Sequence, residues 1–307
     1  MRLLNASGCL DALTAPEVAA ALDVFVTKTV TPKPRAGNAP VRIAETDVGM
    51  LNSIGLANAG LDRFVQETLP RLSRLPVPVW VSVGGFSAED YAASCAVLDA
   101  CAEVAAIELN VSCPNVEAPW ASAWEIVAAA RRETGKELYA KLSPSVPDIA
   151  TVAVAASEAG ADGLSLVNTM RGMSLDPRTL RPTLGTGSGG LSGPALRPIA
   201  LAAVHACAQA TDLPIVGMGG VSSGRHTLEF LAAGASSVAL GTVLFSDPGA
   251  PGRIRTELSA EADELGLASI DNAIGAAFRM PAGVLEGAAV TKPPKSKNRS
   301  ISGAILS

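Results

Sequence analysis

Short apolar runs recur along the whole chain, and helix-like stretches separate most of them. The eight runs cover residues 3–6, 24–27, 77–83, 106–110, 138–142, 163–168, 214–219 and 237–241. Runs that are apolar on both faces are typical of parallel strands buried between two layers. Eight alternations of strand and helix, without a Gly-x-Gly-x-x-Gly turn after the first strand, favour a closed barrel over an open sheet. We therefore predict a single-domain (β/α)8 TIM barrel over residues 1–280.

Local signals mark where several of the helices begin and end. Thr14-x-x-Glu17 and Ser87-x-x-Asp90 have the spacing of a capping box at a helix N-terminus. Gly160 and Gly234 follow alanine-rich stretches, where glycine commonly ends a helix. These signals support the alternation of strands with helices.

The composition changes from Pro281 onward. Residues 281–307 contain three prolines, many small residues and four basic side chains, against the single acid Glu286. Such a segment has too few apolar residues to form a packed core. We predict that residues 281–307 form a disordered tail, with the docking of a partner as the less favoured alternative.

Composition and charge exclude several classes of function. The chain is 48% hydrophobic, but no apolar run approaches the length of about 18 residues needed to span a membrane. A net charge of −5 and an aromatic content of 4% offer no basic or stacking surface for nucleic acid. The first residues enter a strand at once, which leaves no room for a signal peptide and predicts a cytoplasmic protein. We expect a small-molecule ligand.

The cysteines are scattered and do not form a metal-binding pattern. None belongs to a Cys-x-x-Cys pair, so neither a metal site, nor an iron-sulfur cluster, nor a disulfide framework is predicted. The five are Cys9, Cys95, Cys101, Cys113 and Cys207.

Polar side chains crowd the predicted ends of the strands, where the chemistry of such barrels takes place. A purely structural barrel has little reason to place two lysines, several amides and a cysteine at one mouth. We therefore predict an active site there. The residues at these strand ends are Ser7, Lys28, Thr29, Ser82, Asn110, Cys113, Lys141, Asn168, Thr169, Gly219, Gly220, Gly241 and Thr242.

The pairs Gly219-Gly220 and Gly241-Thr242 follow the seventh and eighth strands. Either pair alone is typical of an ordinary turn. Together, at these two strands, they favour a phosphate site built from backbone N–H groups that only glycine lets a ligand approach closely. A phosphate site suits FMN as the cofactor.

The two lysines at the strand ends have more than one interpretation. Lys28 and Lys141 could extend to solvent, or could stabilise the negative charge of a reduced flavin. Lys141 could instead form the Schiff base of an aldolase-like barrel. His205 and His226 fall within predicted helices, and we assign them no role.

Cys113 is the candidate for a reactive side chain. A lone cysteine is ordinarily a small buried hydrophobic residue. Here Pro114 restrains the backbone beyond the thiol, and Asn110 and Asn115 flank it with amides that can pair with the C=O and N–H groups of an imide ring. This pattern favours a cysteine that acts on a neutral heterocycle.

Several motifs together resemble the dihydroorotate dehydrogenase family. They occur in the expected order from about residue 5 to about residue 280. The motifs are FVTKTVT at 25–31, GMLNSIGL at 49–56, ELNVSCPNV at 108–116, KLSP at 141–144, VNT at 167–169, GGLSGP at 189–194 and GMGGV at 217–221.

The resemblance implies a reaction and a set of site residues. Cys113 would take a proton from C5 of dihydroorotate while a hydride leaves C6 for N5 of FMN, in the biosynthesis of pyrimidines. The substrate would be held by Lys28, Asn52, Ser53, Ile54, Gly55, Leu56, Asn110, Asn115, Asn168 and Thr169. FMN would be held by Ser7, Lys28, Thr29, Asn110, Lys141, Val167, Gly193, Gly219, Gly220, Gly241 and Thr242, the last four around its phosphate.

The resemblance also indicates a branch and a partner. Cys113 and the Asn168-Thr169 pair are most similar to the cytosolic, NAD-linked class 1 branch, which works with an iron-sulfur FAD subunit around a homodimeric core. Three departures stand out. No strand hairpin precedes the first barrel strand, Ser82 replaces a usual asparagine, and the segment after Cys113 is short and lacks the usual glycine-rich lid.

Three alternatives remain open at this point. The first is a related flavin barrel that acts on another dihydropyrimidine. The second is a non-redox phosphate-binding barrel that uses Lys141 as a Schiff-base lysine. The third is a non-catalytic subunit that keeps only the fold.

Overall fold

The structure, a computed structural model, describes residues 1–111 and 119–279. Strands and helices alternate through both ranges, as the sequence predicts. The strands described there are β1 (Arg2–Asn5), β2 (Phe25–Val26), β3 (Ile43–Thr46), β4 (Gly49–Asn52), β5 (Val79–Val83), β6 (Val104–Asn110), β7 (Glu137–Leu142), β8 (Gly163–Leu166), β9 (Met170–Gly172), β10 (Gly189–Ser192), β11 (Ile215–Met218) and β12 (Ser237–Leu240).

The helices lie between the strands. A π-helical turn at Phe64–Thr68 joins α2 to α3, and short 3-10 turns occupy Pro194–Leu196, Ile270–Ala273 and Ala276–Phe278. The α-helices described are α1 (Pro16–Ala20), α2 (Leu61–Arg63), α3 (Leu69–Leu72), α4 (Ala88–Asp99), α5 (Pro119–Glu133), α6 (Ile149–Glu158), α7 (Arg197–Ala210), α8 (Gly224–Ala232), α9 (Val243–Ser246) and α10 (Ala250–Glu264).

Eight parallel strands form the barrel, in the order β1-β12-β11-β8-β7-β6-β5-β2. A parallel bridge from Leu4 to Val24 brings the two outer strands together. The buried side chain of Asn5 also spans this seam. Its amide donates to the Val26 carbonyl at 2.7 Å and accepts from the Val26 N–H at 2.8 Å, as a backbone peptide group would. All eight predicted strands are confirmed, and the fold is a single-domain (β/α)8 barrel.

Alternate residues of the barrel strands face opposite layers. In β7, Leu138, Ala140 and Leu142 pack in the large core between the sheet and the helices. Tyr139 packs in the smaller core inside the barrel. Lys141 shares this inward face because side chains alternate along a strand. Both faces of such a strand are buried, which explains why the runs are apolar almost throughout.

Arg2, Trp80 and Tyr139 fill the N-terminal end of the barrel. The rings of Trp80 and Tyr139 lie 4.3 Å apart between centroids. The Arg2 guanidinium lies 5.5 Å from the Trp80 ring centroid, within the range of a cation–π contact, and donates to the Tyr139 hydroxyl at 3.3 Å. These three side chains close the floor of the barrel, although no hairpin precedes β1.

The predicted helix signals are confirmed at most positions. Ser87 is the N-cap of α4, and its side chain accepts from the Asp90 N–H. Gly160 and Gly234 adopt positive φ directly after the C-caps of α6 and α8. The prediction at Thr14 is wrong, because the N-cap of α1 is Ala15 and the Thr14 hydroxyl donates to the Asp11 carbonyl instead.

A second, antiparallel sheet was not predicted. It has the order β3-β4-β10-β9. The ladder between β4 and β10 pairs Leu51 with Leu191, which no local pattern in the sequence reveals. A Cβ atom placed on Gly189 would lie 2.3 Å from the Asn52 carbonyl oxygen, so the two strands approach as closely as they do only because a glycine stands there.

Residues 112–118 and 280–307 lie outside the described residues. The predictions for Cys113, Asn115 and the disordered tail at 281–307 fall there. The boundary of the barrel domain at residue 280 remains a prediction for the same reason.

Candidate active site

Lys141 lies at the end of β7 with two polar partners. Its ammonium donates to the Ser7 hydroxyl at 2.9 Å, which joins the ends of β7 and β1. The Glu108 carboxylate on β6 lies 3.5 Å from the same nitrogen. Glu108 and Lys141 are only 1% and 5% exposed, so this ion pair is almost fully removed from water. Burial makes its charges more effective than they would be at a surface.

Lys28 and Cys9 lie together at the mouth. A Cβ atom placed on Gly8 would lie 3.8 Å from both Cγ and Nζ of Lys28, so the lysine side chain passes directly over this loop. Burial lowers the pKa of Lys28, and the nearby Cys9 thiol opposes that shift. Burial raises the pKa of Cys9, although Lys141 and Lys28 favour its thiolate. The two lysines and the thiol therefore share one electrostatic environment.

Asn110 and Asn168 form a pair of side-chain amides. The Asn168 amide donates to Asn110 Oδ1 at 3.0 Å and accepts from the Thr169 N–H at 2.8 Å. The Tyr91 hydroxyl donates to the Asn110 carbonyl at 2.6 Å, which anchors the end of β6. Val167 directly precedes Asn168 in the chain, and its N–H donates to the Met218 carbonyl of β11. The ends of β6, β8 and β11 thus meet around two amides.

The residues of the predicted phosphate site lie in the loops that follow β10, β11 and β12. Within residues 1–111 and 119–279, no hydrogen bond is donated by the N–H groups of Gly193, Gly219, Gly220, Gly241 or Thr242. The first three of these residues have φ values of +95°, +126° and +72°, which favour glycine. The Thr242 hydroxyl donates to Ser192 Oγ at 2.9 Å and so links β12 with β10. Free N–H groups in such loops bind anions.

Thr29 and Ser82 join the ends of β2 and β5. Their hydroxyl groups lie 3.0 Å apart in a buried hydrogen bond. The Ser82 N–H donates to the Thr27 hydroxyl at 3.1 Å. Ser82, the departure from the usual asparagine, is fully buried and therefore engaged with neighbouring strands.

Hydrogen bonds from two asparagines shape the segment 52–56. The Asn38 amide donates to Ser53 Oγ at 2.7 Å, and the Asn38 N–H donates to the Ile54 carbonyl. Gly55 and Leu56 both adopt positive φ, which is uncommon for leucine. The Asn58 amide donates to the Leu56 carbonyl at 2.7 Å and supports that conformation.

This segment stands somewhat apart from the lysines. Asn52 donates to the Gly190 carbonyl at 3.3 Å, which holds the segment against β10. Among the described residues, no hydrogen bond or ion pair joins residues 52–56 to Lys28 or Lys141. Cys113 and Asn115 lie outside the described residues, and their position relative to the amide pair remains a prediction.

Several residues at the site were not assigned a role from the sequence. Glu108 has the clearest signal, because a carboxylate inside a strand buried on both faces requires a partner. Asn38, Asn58 and Tyr91 act through hydrogen bonds to residues distant in sequence, which no short pattern reveals. Cys9 is an isolated thiol in a loop, and only the fold brings it near the lysines.

Comparison with known proteins identifies the family. The sequence model described as "Dihydroorotate dehydrogenase" matches residues 2–261. The chain belongs to the dihydroorotate dehydrogenase family. The prediction made from the motifs is therefore confirmed, as is the assignment to an oxidoreductase family.

Individual relatives agree with this assignment. The chain is 46% identical over 267 residues to the protein named dihydroorotate dehydrogenase B (NAD(+)), catalytic subunit, of Desulforudis audaxviator, covering 85% of this chain and 87% of the relative. A protein of the same name in Geobacter sulfurreducens is 44% identical over 263 residues, covering 83% and 86%.

A solved structure supports the fold. The crystal structure of DHODH in complex with ferulenol from Eimeria tenella matches with a TM-score of 0.77, over 91% of this chain and 86% of that chain. The two sequences are 24% identical, so this likeness concerns the fold alone. In the described part of the chain, no helix is both long and apolar enough to cross a membrane, and no cluster of three metal-binding side chains occurs.

Proposed function

We propose that this chain oxidises (S)-dihydroorotate to orotate with FMN, as a cytoplasmic catalytic subunit in pyrimidine biosynthesis. The observation that carries the proposal is the amide pair Asn110–Asn168 at the same barrel mouth as the buried Lys141. The amides suit a neutral pyrimidine ring, and the ammonium suits a cofactor that gains negative charge. Membership of the dihydroorotate dehydrogenase family supports this assignment.

The residues at the mouth fit FMN. The free N–H groups of Gly219, Gly220, Gly241 and Thr242 suit its phosphate. Ser192 borders this cradle through its bond to Thr242, and Gly193 lies beside Gly220, where an added Cβ atom would lie 2.7 Å from the Gly193 carbonyl oxygen. We assign the ring system to Ser7, Lys28, Thr29, Asn110, Lys141 and Val167. When bound, FMN supplies the acceptor for a hydride.

The substrate side of the site uses the amides and the segment 52–56. Asn110 and Asn168 would pair with the C=O and N–H groups of the ring, with Asn115 beside them. Lys28 would attract the substrate carboxylate, because its positively charged side chain is partly enclosed by the loop at Gly8 but still reaches solvent at the mouth. Thr169 and residues 52–56 would close around the remaining edge of the ring.

Cys113 is assigned as the base. Its thiolate would take the proton from C5, and the electron pair of that C5–H bond would form the C5–C6 double bond. The hydrogen at C6 would leave with its electron pair as a hydride for FMN. A free thiol titrates near pH 8.5, so activity should rise with pH as the thiolate forms.

We further propose that electrons pass to NAD through a separate iron-sulfur FAD subunit. The relatives are named catalytic subunits of a dihydroorotate dehydrogenase B (NAD(+)). Such a name supports a second subunit for this chain. A homodimeric core completes the proposed assembly.

The ion pair weighs against the Schiff-base alternative. A lysine nucleophile must have its amine free to attack a carbonyl group, whereas Lys141 Nζ donates to the Ser7 hydroxyl and lies 3.5 Å from the buried Glu108 carboxylate. Borohydride reduction in the presence of a sugar phosphate tests this directly. A trapped adduct on Lys141 would support the alternative.

Product analysis tests the proposed reaction. The purified chain is mixed with dihydroorotate and an artificial electron acceptor, and orotate is measured by its ultraviolet absorbance. Dihydrouracil serves as the comparison substrate. We expect orotate and no turnover of dihydrouracil. Turnover of dihydrouracil alone would favour a related flavin barrel that acts on another dihydropyrimidine.

A further inference from the structure

Glu108 is a buried carboxylate that the proposed reaction does not use. It lies on β6, one inward-facing position before Asn110. Its side chain is 1% exposed, and its Oε1 atom makes no hydrogen bond to any described residue. A buried carboxylate without a full set of hydrogen bonds is strongly unfavourable unless a cation balances it. The cation is Lys141, whose Nζ lies 3.5 Å from Oε1.

Lys141 is assigned to the proposed flavin site, and Glu108 lies deeper in the barrel. Lys141 donates to Ser7, which follows β1 at the mouth. In the strand ladders, Asn110 pairs with Lys141, and Lys141 pairs with Ser165 on β8. Glu108 therefore lies one layer deeper than the residues assigned to the ring system. Glu108 would therefore affect the ligand by offsetting the charge of Lys141, without contacting the ligand itself.

We propose that Glu108 is a positioning residue that balances the charge of Lys141 beneath the flavin and thereby sets the flavin's midpoint potential. This inference rests on the FMN assignment made above. In the intact protein the pair has no net charge. A flavin that gains negative charge on reduction would then contact the Lys141 ammonium, while Glu108 offsets the positive charge of this lysine.

Single substitutions should unbalance the pair in opposite directions. Glu108→Gln keeps the shape and leaves Lys141 as an excess positive charge, which stabilises the reduced flavin and raises its potential. Lys141→Gln leaves Glu108 as an excess negative charge, which lowers the potential. The double variant removes both charges, so its potential should return toward that of the unsubstituted protein. Low dielectric inside the barrel makes these effects measurable.

The experiment measures the FMN midpoint potential of five holoproteins against a dye of known potential: the unsubstituted protein, Glu108→Gln, Lys141→Gln, the double variant and Glu108→Asp. We expect Glu108→Gln to change the equilibrium constant for two-electron reduction by at least about tenfold, which corresponds to a rise of about 30 mV. Glu108→Asp keeps the charge and should stay close to the unsubstituted protein. A purely structural role would lower stability in Glu108→Gln and leave the potential unchanged.

Thermal unfolding gives a second readout that does not depend on activity. The melting temperature should fall in each single variant, because each leaves one buried charge without its partner, and should recover in the double variant. If Glu108→Gln does not fold, the double variant still tests the inference. Its potential must then lie above that of Lys141→Gln.

Failure of the inference about Glu108 can be distinguished from failure of the proposed function. If the intact chain binds FMN and is reduced by dihydroorotate, but Glu108→Gln leaves the potential unchanged or lowers it, only the role of Glu108 is overturned. If the intact chain binds no FMN, the proposed function fails, and the inference about Glu108 fails with it.

Discussion

A single methyl group added at Gly190 should impair both the stability of the fold and the use of substrate. A Cβ atom at this position would lie 2.0 Å from Thr169 Oγ1 and 2.6 Å from Thr169 Cβ. Because non-bonded atoms prefer about 3.5–4.0 Å, Gly190→Ala must move Thr169 or β10 by more than about 1 Å. We expect this overpacking to lower the free energy of unfolding by about 1–3 kcal/mol.

The same displacement should impair catalysis, since Thr169 is assigned to the substrate. Misplacement of a positioning group by about 1 Å can reduce the rate about 100-fold, so we expect a loss of that order in kcat/KM for dihydroorotate. Steady-state kinetics measures the loss, and urea unfolding measures the stability. Gly252→Ala on α10 is the matched control, because a Cβ atom there meets nothing within 4 Å. Unchanged kinetics and stability in Gly190→Ala would refute the reasoning.

Three further predictions concern the barrel seam, the base and the buried thiols. Asn5→Ala leaves the buried N–H and C=O groups of Val26 without their hydrogen-bond partners. Urea unfolding should show that the free energy of unfolding falls by about 1–3 kcal/mol for each group. Unchanged stability would contradict the role of Asn5 in holding β1 against β2. Cys113→Ser should keep FMN and orotate binding but lose at least about 100-fold in turnover, and full turnover at neutral pH would exclude the base role. Burial raises the pKa of Cys95 and Cys207 from 9.0 to about 12. As the pH rises, these thiols therefore lose their protons in the unfolded chain before they do so in the folded one. The free energy of unfolding should fall from pH 9 upward by about 1.4 kcal/mol per pH unit for each thiol. Urea unfolding at alkaline pH measures this fall, and a free energy that does not change with pH would contradict the burial of these thiols.

The barrel is predictable from the sequence because its strands are buried on both faces. Ile107 and Leu109 face the helices, while Ala106 packs inside the barrel, so the run 106–110 is nearly continuous in apolar residues. The antiparallel sheet is not predictable in this way. Its strands contain Gly49, Gly189 and Asn52, which have low strand propensity, and they are held by pairing between distant segments.

The chemistry of the candidate site was predictable from the sequence, but the residues that hold its side chains in place were not. Lys141 and Asn168 stand at strand ends, where the fold alone indicates function. Glu108 stands within a strand, and its importance depends on a contact with Lys141 across the sheet. Thr14 shows the limit of local signals, since its capping-box spacing is correct but its hydroxyl bonds to Asp11 instead.

The most direct test of the account is the anaerobic visible spectrum of the purified chain before and after addition of dihydroorotate. We predict a flavin absorbance band that bleaches when dihydroorotate is added, because in the proposed function the substrate passes a hydride to bound FMN. A band that dihydroorotate leaves unbleached would contradict the assigned substrate. A colourless protein that FMN does not restore would contradict the cofactor assignment as well.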